Sequence, residues 1–126
     1  MEDYGMSKRY IDAHGRDILI TLEDDWPPRV ICQHAGKIIG HLDFIDYREP
    51  GTLLLEHADL NPKFHKAGIG SQMVKEIMEV APDILVPNLL WNSSTGHQIY
   101  LSGEGAALIK SCLRNGIISE QNIAAY

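Results

Sequence analysis

The sequence predicts a mixed α/β fold, an α+β arrangement of helices around one mixed sheet, and three observations lead to this prediction. Apolar and β-branched runs separated by turn residues occupy residues 17–60, as is typical of strands. Apolar residues then recur at helical spacing over 70–81 and again over 106–114. A length of 126 residues suits a single domain, 1–126, that is large enough to bury a core of its own.

Four strands are predicted in the first half of the chain, after residues 1–16, whose weak periodicity indicates a partly irregular segment. The pair Ala35-Gly36 lies between two apolar runs and predicts a hairpin turn. Residues 46–51 are rich in turn-forming types and are predicted to form a loop. Asn61-Pro62 ends the last strand, because proline cannot donate to a ladder. The four strands are Asp17–Glu23, Arg29–His34, Lys37–Ile45 and Thr52–Leu60.

The second half of the chain predicts two helices. Gly70–Ala81 is amphipathic, with Met73 and Ile77 on its apolar face. Ala106–Arg114 is the second helix, and the Asn115-Gly116 pair predicts a left-handed cap at its C-terminus.

Two further strands are predicted on either side of the second helix. Ile84–Trp91 is an apolar run in which Pro87 indicates an edge position or a bulge. A long polar loop follows over 92–103, and Ile117-Ile118 begins a last short strand. The predicted order is therefore strand, hairpin, strand, helix, strand, helix and strand.

Composition and charge exclude several classes of function. Lys and Arg number 11 and Asp and Glu 17, a net charge of −6, whereas non-specific nucleic-acid binding needs a basic surface. Cys32 and Cys112 are the only cysteines, too few for a disulfide framework or a cysteine-rich zinc site. No histidine pair stands at metal-ligand spacing with acidic support, so no metal is expected.

The chain also lacks the signals of a membrane or secreted protein. No apolar stretch approaches the roughly 20 residues of a membrane span. Residues 1–17 mix charge with Gly and Tyr and lack the apolar core of a secretory signal. The expected location is therefore the cytoplasm.

The segment between the fourth predicted strand and the first helix carries the strongest functional signal. Gly68 and Gly70 stand at the start of the helix, where glycine lets the chain turn sharply and leaves main-chain amides free. Such amides lie at the positive end of the helix dipole and bind anions. Lys63, His65 and Lys66 add positive charge to an otherwise acidic chain. The segment therefore predicts a phosphate or diphosphate site.

Two common phosphate-binding motifs do not fit this segment. The dinucleotide-binding fingerprint needs a third glycine where this chain has Met73. The P-loop needs Gly-Lys-Ser/Thr where this chain has Gly70-Ser71-Gln72.

What remains resembles the GNAT family of N-acetyltransferases. The family signature reads Val-x-Pro, a short spacer, and then Gln/Arg-x-x-Gly-x-Gly/Ala opening a helix. Leu60-Asn61-Pro62 is similar to the first part, and residues 65–70 to the second, with His65 in place of the usual Gln or Arg. The resemblance extends over roughly Arg29 to Ile118, with the family's first helices shortened or absent.

The resemblance implies acetyl-CoA as the acyl donor. Amides around Ala67 to Ser71 would hold its diphosphate, and the main chain before Asn61 would pair with the pantetheine arm like an extra strand. The Leu60 amide would polarise the thioester carbonyl. The family opens two parallel strands to admit the cofactor, here Thr52–Leu60 and Ile84–Trp91. The residues assigned to the cofactor are Ala58, Asp59, Leu60, His65, Lys66, Ala67, Gly68, Ile69, Gly70 and Ser71.

Acetyl transfer to an amine also needs a base for the amine and an acid for the departing thiolate. Glu56 lies four residues before Leu60, on the same strand face by the two-residue period, and is the first choice of base. Histidine is the side chain that ordinarily exchanges a proton near neutral pH, so His57, on the other face, is the second choice. At the position of the family's late-helix tyrosine this chain has Cys112, a candidate acid, with Tyr100 as the alternative. Cys112 on an apolar helix face equally fits a small core residue.

Three functions are compatible with these features. The favoured one is acetylation of a small-molecule amine or a basic protein segment, by direct attack in a ternary complex. The alternatives are a catalytically degenerate acyl-CoA-binding module and a protein-interaction domain in which the glycine turn is purely structural. No nucleic acid or membrane partner is expected, and a homodimer is left open.

Overall fold

The computed structural model describes residues 5–23, 25, 27–47, 49–87 and 103–124. They form a five-stranded antiparallel sheet, in which strand order follows chain order, together with two helices, so the predicted mixed α/β class is confirmed. The elements are β1 Gly5–Ile11, β2 Asp17–Glu23, β3 Arg29–His34, β4 Lys37–Tyr47, β5 Glu49–Leu60, α1 Ile69–Val80 and α2 Gly103–Arg114, with 3-10 turns at Pro62–Phe64 and Glu120–Asn122.

The first strand lies within residues 1–16, whose sequence predicts a partly irregular segment. β1 pairs antiparallel with β2 along its whole length and forms one edge of the sheet. Lys8 on this strand forms ion pairs with Glu76 at 3.1 Å and Glu79 at 2.9 Å on α1. Polar residues therefore take positions where a central strand would carry apolar ones, which is why hydrophobic alternation did not reveal β1.

The β3–β4 hairpin matches its prediction. Ala35 and Gly36 have φ angles of 52° and 80°, the two left-handed residues that a type I′ turn requires. The inward side chains of β2, β3 and β4 are buried in one apolar cluster, to which α1 and α2 also contribute their apolar faces. This cluster is the core on which the cleft described below is built.

The loop predicted over residues 46–51 is wrong. β4 continues to Tyr47 and β5 begins at Glu49, and these two residues pair directly. The next pair is Asp46 with Leu53, so residues 50–52 are extra residues on the β5 side of the ladder. The turn-forming residues of this segment therefore lie at an irregularity in the ladder of a longer β4–β5 hairpin, not in a loop. Pro50, which has no N–H to donate, is one of the extra residues.

Both helices appear where the periodicity places them. α1 buries Ile69, Met73 and Ile77, and α2 begins three residues before its predicted start at Ala106. Its C-terminus carries the predicted glycine cap, since Gly116 has a φ of 73° and the next amide donates to the Cys112 carbonyl at 2.9 Å. This is the hydrogen bond of a Schellman motif.

The last two predicted strands fare differently. Within 84–91, Leu85 and Val86 form isolated parallel bridges, and residues from 88 onward lie outside the described part. The strand predicted at Ile117-Ile118 is wrong, because those residues complete the helix cap and Ile123 instead bridges to Val86. No helix among the described residues is long and apolar enough to cross a bilayer.

The turn between β1 and β2 contains a buried carboxylate. Asp12 accepts hydrogen bonds from the amides of His14 and Arg16, both at 2.9 Å, and from Arg16 Nε at 2.7 Å. Burial raises the pKa of the Asp12 carboxyl, but the bonds from Arg16 and His14 outweigh it and leave the pKa below its usual value. The ionised carboxylate therefore stabilises the folded state.

A pH prediction follows from the sign of this shift. The unfolded chain binds the Asp12 proton more readily, so the stabilisation is complete above about pH 4 and is lost as pH falls through the folded-state pKa. We expect Asp12→Asn to lower the melting temperature at neutral pH, and the difference from the wild type to shrink below about pH 4. Thermal unfolding followed by circular dichroism from pH 7 to pH 2 measures this, and a constant difference would contradict it.

Candidate functional site

A bulge in β5 sets the geometry of the site. Asp43 of β4 pairs with His57, but its neighbour Phe44 pairs with Leu55, which leaves Glu56 as an extra residue. An extra residue interrupts the alternation of a strand, so the two-residue period cannot be counted across position 56. Residues 56, 58 and 60 are half-buried whereas 57 and 59 are exposed, so the placement of Glu56 on the same face as Leu60 is not contradicted and stays a prediction.

The bulge also decides which main-chain groups of β5 point away from β4. The Asn61 amide donates to the Ile39 carbonyl at 2.7 Å, so by the alternation of antiparallel pairs Asp59 bonds to His41 in the same way. The amides and carbonyls of Ala58 and Leu60 then point to the opposite side. His65 Nε2 lies 2.8 Å from the Leu60 carbonyl oxygen, which agrees with this orientation.

A proline ends the pairing of β5 with its other neighbour. Leu85 donates to the Leu53 carbonyl at 2.8 Å, and its own carbonyl accepts from the Leu55 amide at 2.9 Å. The next bond of this parallel ladder would come from the amide of residue 87, which is Pro87 and has no N–H. Residues 84–87 therefore pair with β5 only as far as Leu55, and the edge of β5 beyond it is left open by this segment.

The loop from β5 to α1 contains two residues with left-handed backbones. Lys66 has a φ of 60° and Gly68 a φ of 84°. Gly68 is the N-cap of α1, and as a glycine it provides no side-chain cap. A Cβ at this position would lie 2.6 Å from the hydroxyl of Tyr10. Glycine is thus required at position 68 by both backbone and space.

The first turn of α1 presents main-chain amides without a capping side chain. The Gln72 amide donates to the Gly68 carbonyl at 3.1 Å and begins the helical bonds, so the amides before it point out of the helix end. Asp and Glu are absent from this first turn. The helix end is therefore electrostatically suited to an anion.

These features meet in one cleft of about 360 Å³. Its predicted residues are Ala58, Asp59, Leu60, His65, Lys66, Gly68, Ile69, Gly70 and Ser71; the others are Leu42, Phe64, Met73, Ala107, Leu108 and Ser111. Ala67, the remaining residue assigned to the cofactor, is 1% exposed and packs in the core.

The contribution of α2 was not foreseen. Ala107, Leu108 and Ser111 lie on one face of the helix, and a Cβ on Gly70 would stand 3.0 Å from Leu108 Cδ1. The spacing i, i+1, i+4 could have indicated a common face, but nothing in the sequence says that this face covers the start of α1. α2 thus lines the cleft together with β5 and the start of α1.

Cys112 is in the core. Its side chain is 1% exposed and is not among the residues lining the cleft. Burial raises the pKa of the Cys112 thiol, and a hydrogen bond with the Ser71 hydroxyl only partly offsets this. Burial likewise raises the pKa of Cys32 to about 12. Tyr100, the alternative acid, lies outside the described residues.

Glu56 and His57 lie outside the cleft, on the part of β5 that follows the last bond to Leu85. Glu56 Oε1 is 3.9 Å from His57 Nδ1, which in turn is 3.8 Å from Asp43 Oδ2. His41 Nδ1 lies 3.3 Å from the same Asp43 oxygen. This group is acidic overall, and in the described part of the chain no set of His, Cys, Asp and Glu side chains is arranged to hold a metal ion.

Two comparisons with known proteins bear on this site. A family model described as the acetyltransferase (GNAT) family matches residues 2–94, more than half of the chain. The match contains β1 to β5, the glycine loop and α1, and it ends before α2. A search of curated proteins finds no match.

Proposed function

Because the chain belongs to the acetyltransferase (GNAT) family, we propose that it transfers an acetyl group from acetyl-CoA to an amine by direct attack in a ternary complex. The observation that carries the proposal is the meeting of two sets of main-chain donors in one cleft. One set is the uncapped start of α1, and the other is the outward-facing main chain of Ala58 and Leu60.

The start of α1 would bind the diphosphate of acetyl-CoA. Lys66 and the segment Gly68–Ser71 line the cleft, and they offer a positive side chain together with amides at the positive end of a helix dipole. Glycine at positions 68 and 70 lets the phosphate oxygens approach the main chain. His65 holds the Leu60 carbonyl at 2.8 Å and so ties the loop to the strand.

The open edge of β5 would take the pantetheine arm. Ala58 presents one N–H and one C=O, and Leu60 presents its N–H, while the Leu60 carbonyl is held by His65, so an extended amide-containing chain can add to β5 as a further strand at these groups. At the thioester end, an amide of this edge donates to the carbonyl oxygen as negative charge develops on it.

We propose as the base the carboxylate or the imidazole at the start of the open edge. Glu56 is the first residue of β5 beyond the bond to Leu85, and His57 lies beside it. Either group can accept a proton from the ammonium of the acceptor, directly or through water, so that the neutral amine attacks the thioester. Asp43 and Asp59 add negative charge near them, which favours a cationic amine as the acceptor.

Cys112 is a poor choice for the acid. Its sulfur contacts Ser71, at the diphosphate end of the cleft rather than the thioester end. A raised pKa also makes the thiol a weaker proton donor. We therefore assign protonation of the departing thiolate to solvent.

A binding module without turnover is the second candidate. It is favoured by the position of Glu56 and His57 outside the cleft, because the base must come within hydrogen-bonding reach of the acceptor. In that case acetyl-CoA would bind with normal affinity and be left intact.

Two measurements test the proposal. Titration calorimetry with acetyl-CoA is expected to give saturable binding, and a thiol assay over a panel of primary amines is expected to detect amine-dependent release of CoA. Binding without amine-stimulated release would support the module instead. Absence of binding would contradict both candidates.

A further inference from the structure

We propose that Arg16, held by Asp12, is a positioning residue that sets the shape of the loop leading into α1. The inference rests on the proposed function, in which this loop binds the diphosphate of acetyl-CoA. Arg16 follows the turn between β1 and β2. None of the described residues assigned to catalysis or to the cofactor belongs to this hairpin.

Asp12 fixes the guanidinium of Arg16. Asp12 Oδ2 accepts from Arg16 Nε at 2.7 Å, while Oδ1 accepts from the amides of Arg16 and His14 at 2.9 Å each. The Asp12 side chain has no exposed surface, so water does not compete for these bonds. The orientation of Arg16 is thus determined within its own turn.

The free end of Arg16 reaches the loop in two ways. Nη1 donates to the Lys63 carbonyl at 3.1 Å, and Cζ stands 4.2 Å from the centre of the Phe64 ring. Phe64 lines the cleft, so the guanidinium supports its wall from behind. Nη2 is buried without a hydrogen-bond acceptor in the described part of the chain.

The same hairpin touches the loop twice more. The Ala13 amide donates to the Ala67 carbonyl at 3.0 Å, and the Tyr10 hydroxyl fills the space beside Gly68. These contacts hold the chain on both sides of Lys66, whose left-handed backbone costs roughly 1 kcal/mol for a residue with a Cβ. Such a conformation persists only where the surroundings impose it. The hairpin supplies that constraint, and Arg16 contributes one hydrogen bond and one ring contact to it.

The test compares two arginines of the same hairpin. Arg9 also pairs with an aspartate, Asp17, at 2.7 Å, but its side chain is 73% exposed and contacts strand β2 rather than the loop. Arg16→Lys keeps the charge and loses the planar fork that bonds and stacks at once. Arg9→Lys is the matched control, because it makes the same chemical change away from the loop.

Amide hydrogen exchange is the first readout, since it needs no ligand. We expect Arg16→Lys to speed exchange about tenfold at the hydrogen-bonded amides around the loop and to leave the rest of the sheet unchanged, with no effect of Arg9→Lys. These amides are those of Ala13, Phe64, His65 and Gln72. Should Arg16→Lys fail to fold, Phe64→Leu removes the stacked ring and leaves the Asp12 pair. Unchanged loop exchange would overturn the proposal, and so would a uniform rise over the whole chain, which indicates a merely structural role.

Kinetics and binding give the second readout. We expect Arg16→Lys to raise Kd and KM for acetyl-CoA about tenfold while kcat at saturation stays within about twofold, because the reacting groups are untouched. A fall in kcat alone would overturn the positioning role. If the wild type binds no acetyl-CoA but Arg16→Lys still speeds loop exchange, the role of Arg16 is supported and the proposed function is contradicted. Failure of the positioning role and failure of the proposed function are therefore distinguishable.

Discussion

Gly70→Asp is expected to lower the affinity for acetyl-CoA at least about 100-fold, a loss of roughly 2.7 kcal/mol, as measured by titration calorimetry. Gly70 lines the cleft in the first turn of α1, so the new carboxylate would stand among the amides proposed to bind the diphosphate. Its charge repels the phosphates, and its oxygens compete for the same donors. An aspartate in the first turn favours the helix itself, so the fold should persist.

Gly70→Ala separates charge from bulk. In both variants the new Cβ meets Leu108 Cδ1 at about 3.0 Å, the end of a side chain that can move slightly. We expect the alanine variant to lose less than about tenfold in affinity and the aspartate variant to keep a melting temperature close to the wild type. An aspartate variant that binds acetyl-CoA like the wild type would show that the diphosphate does not lie at the start of α1.

Glu56→Gln is expected to lower kcat about 100-fold while the affinity for acetyl-CoA stays unchanged. The amide keeps the size of the side chain and cannot accept a proton at neutral pH. Glu56 is not among the residues that line the cleft, so the substitution should leave cofactor binding intact. Steady-state rates of CoA release as a function of pH measure both the loss of kcat and any change in the acidic limb of the profile.

Two further variants of β5 assign the base. His57→Gln tests the neighbouring imidazole in the same assay, and Asp59→Asn removes a carboxylate that is 72% exposed and is proposed only to attract the acceptor. We expect Asp59→Asn to raise KM for the amine and to leave kcat nearly unchanged. If Glu56→Gln preserves both kcat and the pH profile while His57→Gln does not, the imidazole is the base.

The fold was predictable where one side of an element is apolar. Asp17–Glu23 and the helix around Met73 and Ile77 each bury one face in the common core, and the resulting period is visible in the sequence. β1 was not predictable in this way, because Lys8 at its edge position is covered by carboxylates of α1 rather than by apolar side chains. The turn at 46–51 failed for another reason, since its residues form a ladder irregularity instead of a loop.

The candidate site, too, was predictable only where its sequence signals are local. Gly68, Gly70 and the strand before them are local signals, and the predicted cofactor residues line one cleft except Ala67, which packs in the core. Leu108 and Arg16 reach the site from distant parts of the chain. Their spacing in sequence carries no sign of this, because a contact across the core depends on how whole elements pack.

The sequence by itself determined that Gly68 begins a helix with free amides, that Pro87 cannot extend a ladder, and which family the chain resembles. These are properties of single residues and their immediate neighbours, such as a missing Cβ or a missing N–H. Only the tertiary structure decided that Glu56 is an extra residue in β5 and that the Leu60 amide consequently points away from β4. The physical reason is that a bulge is defined by the partner strand: it exists only when two residues of one strand face a single residue of the other.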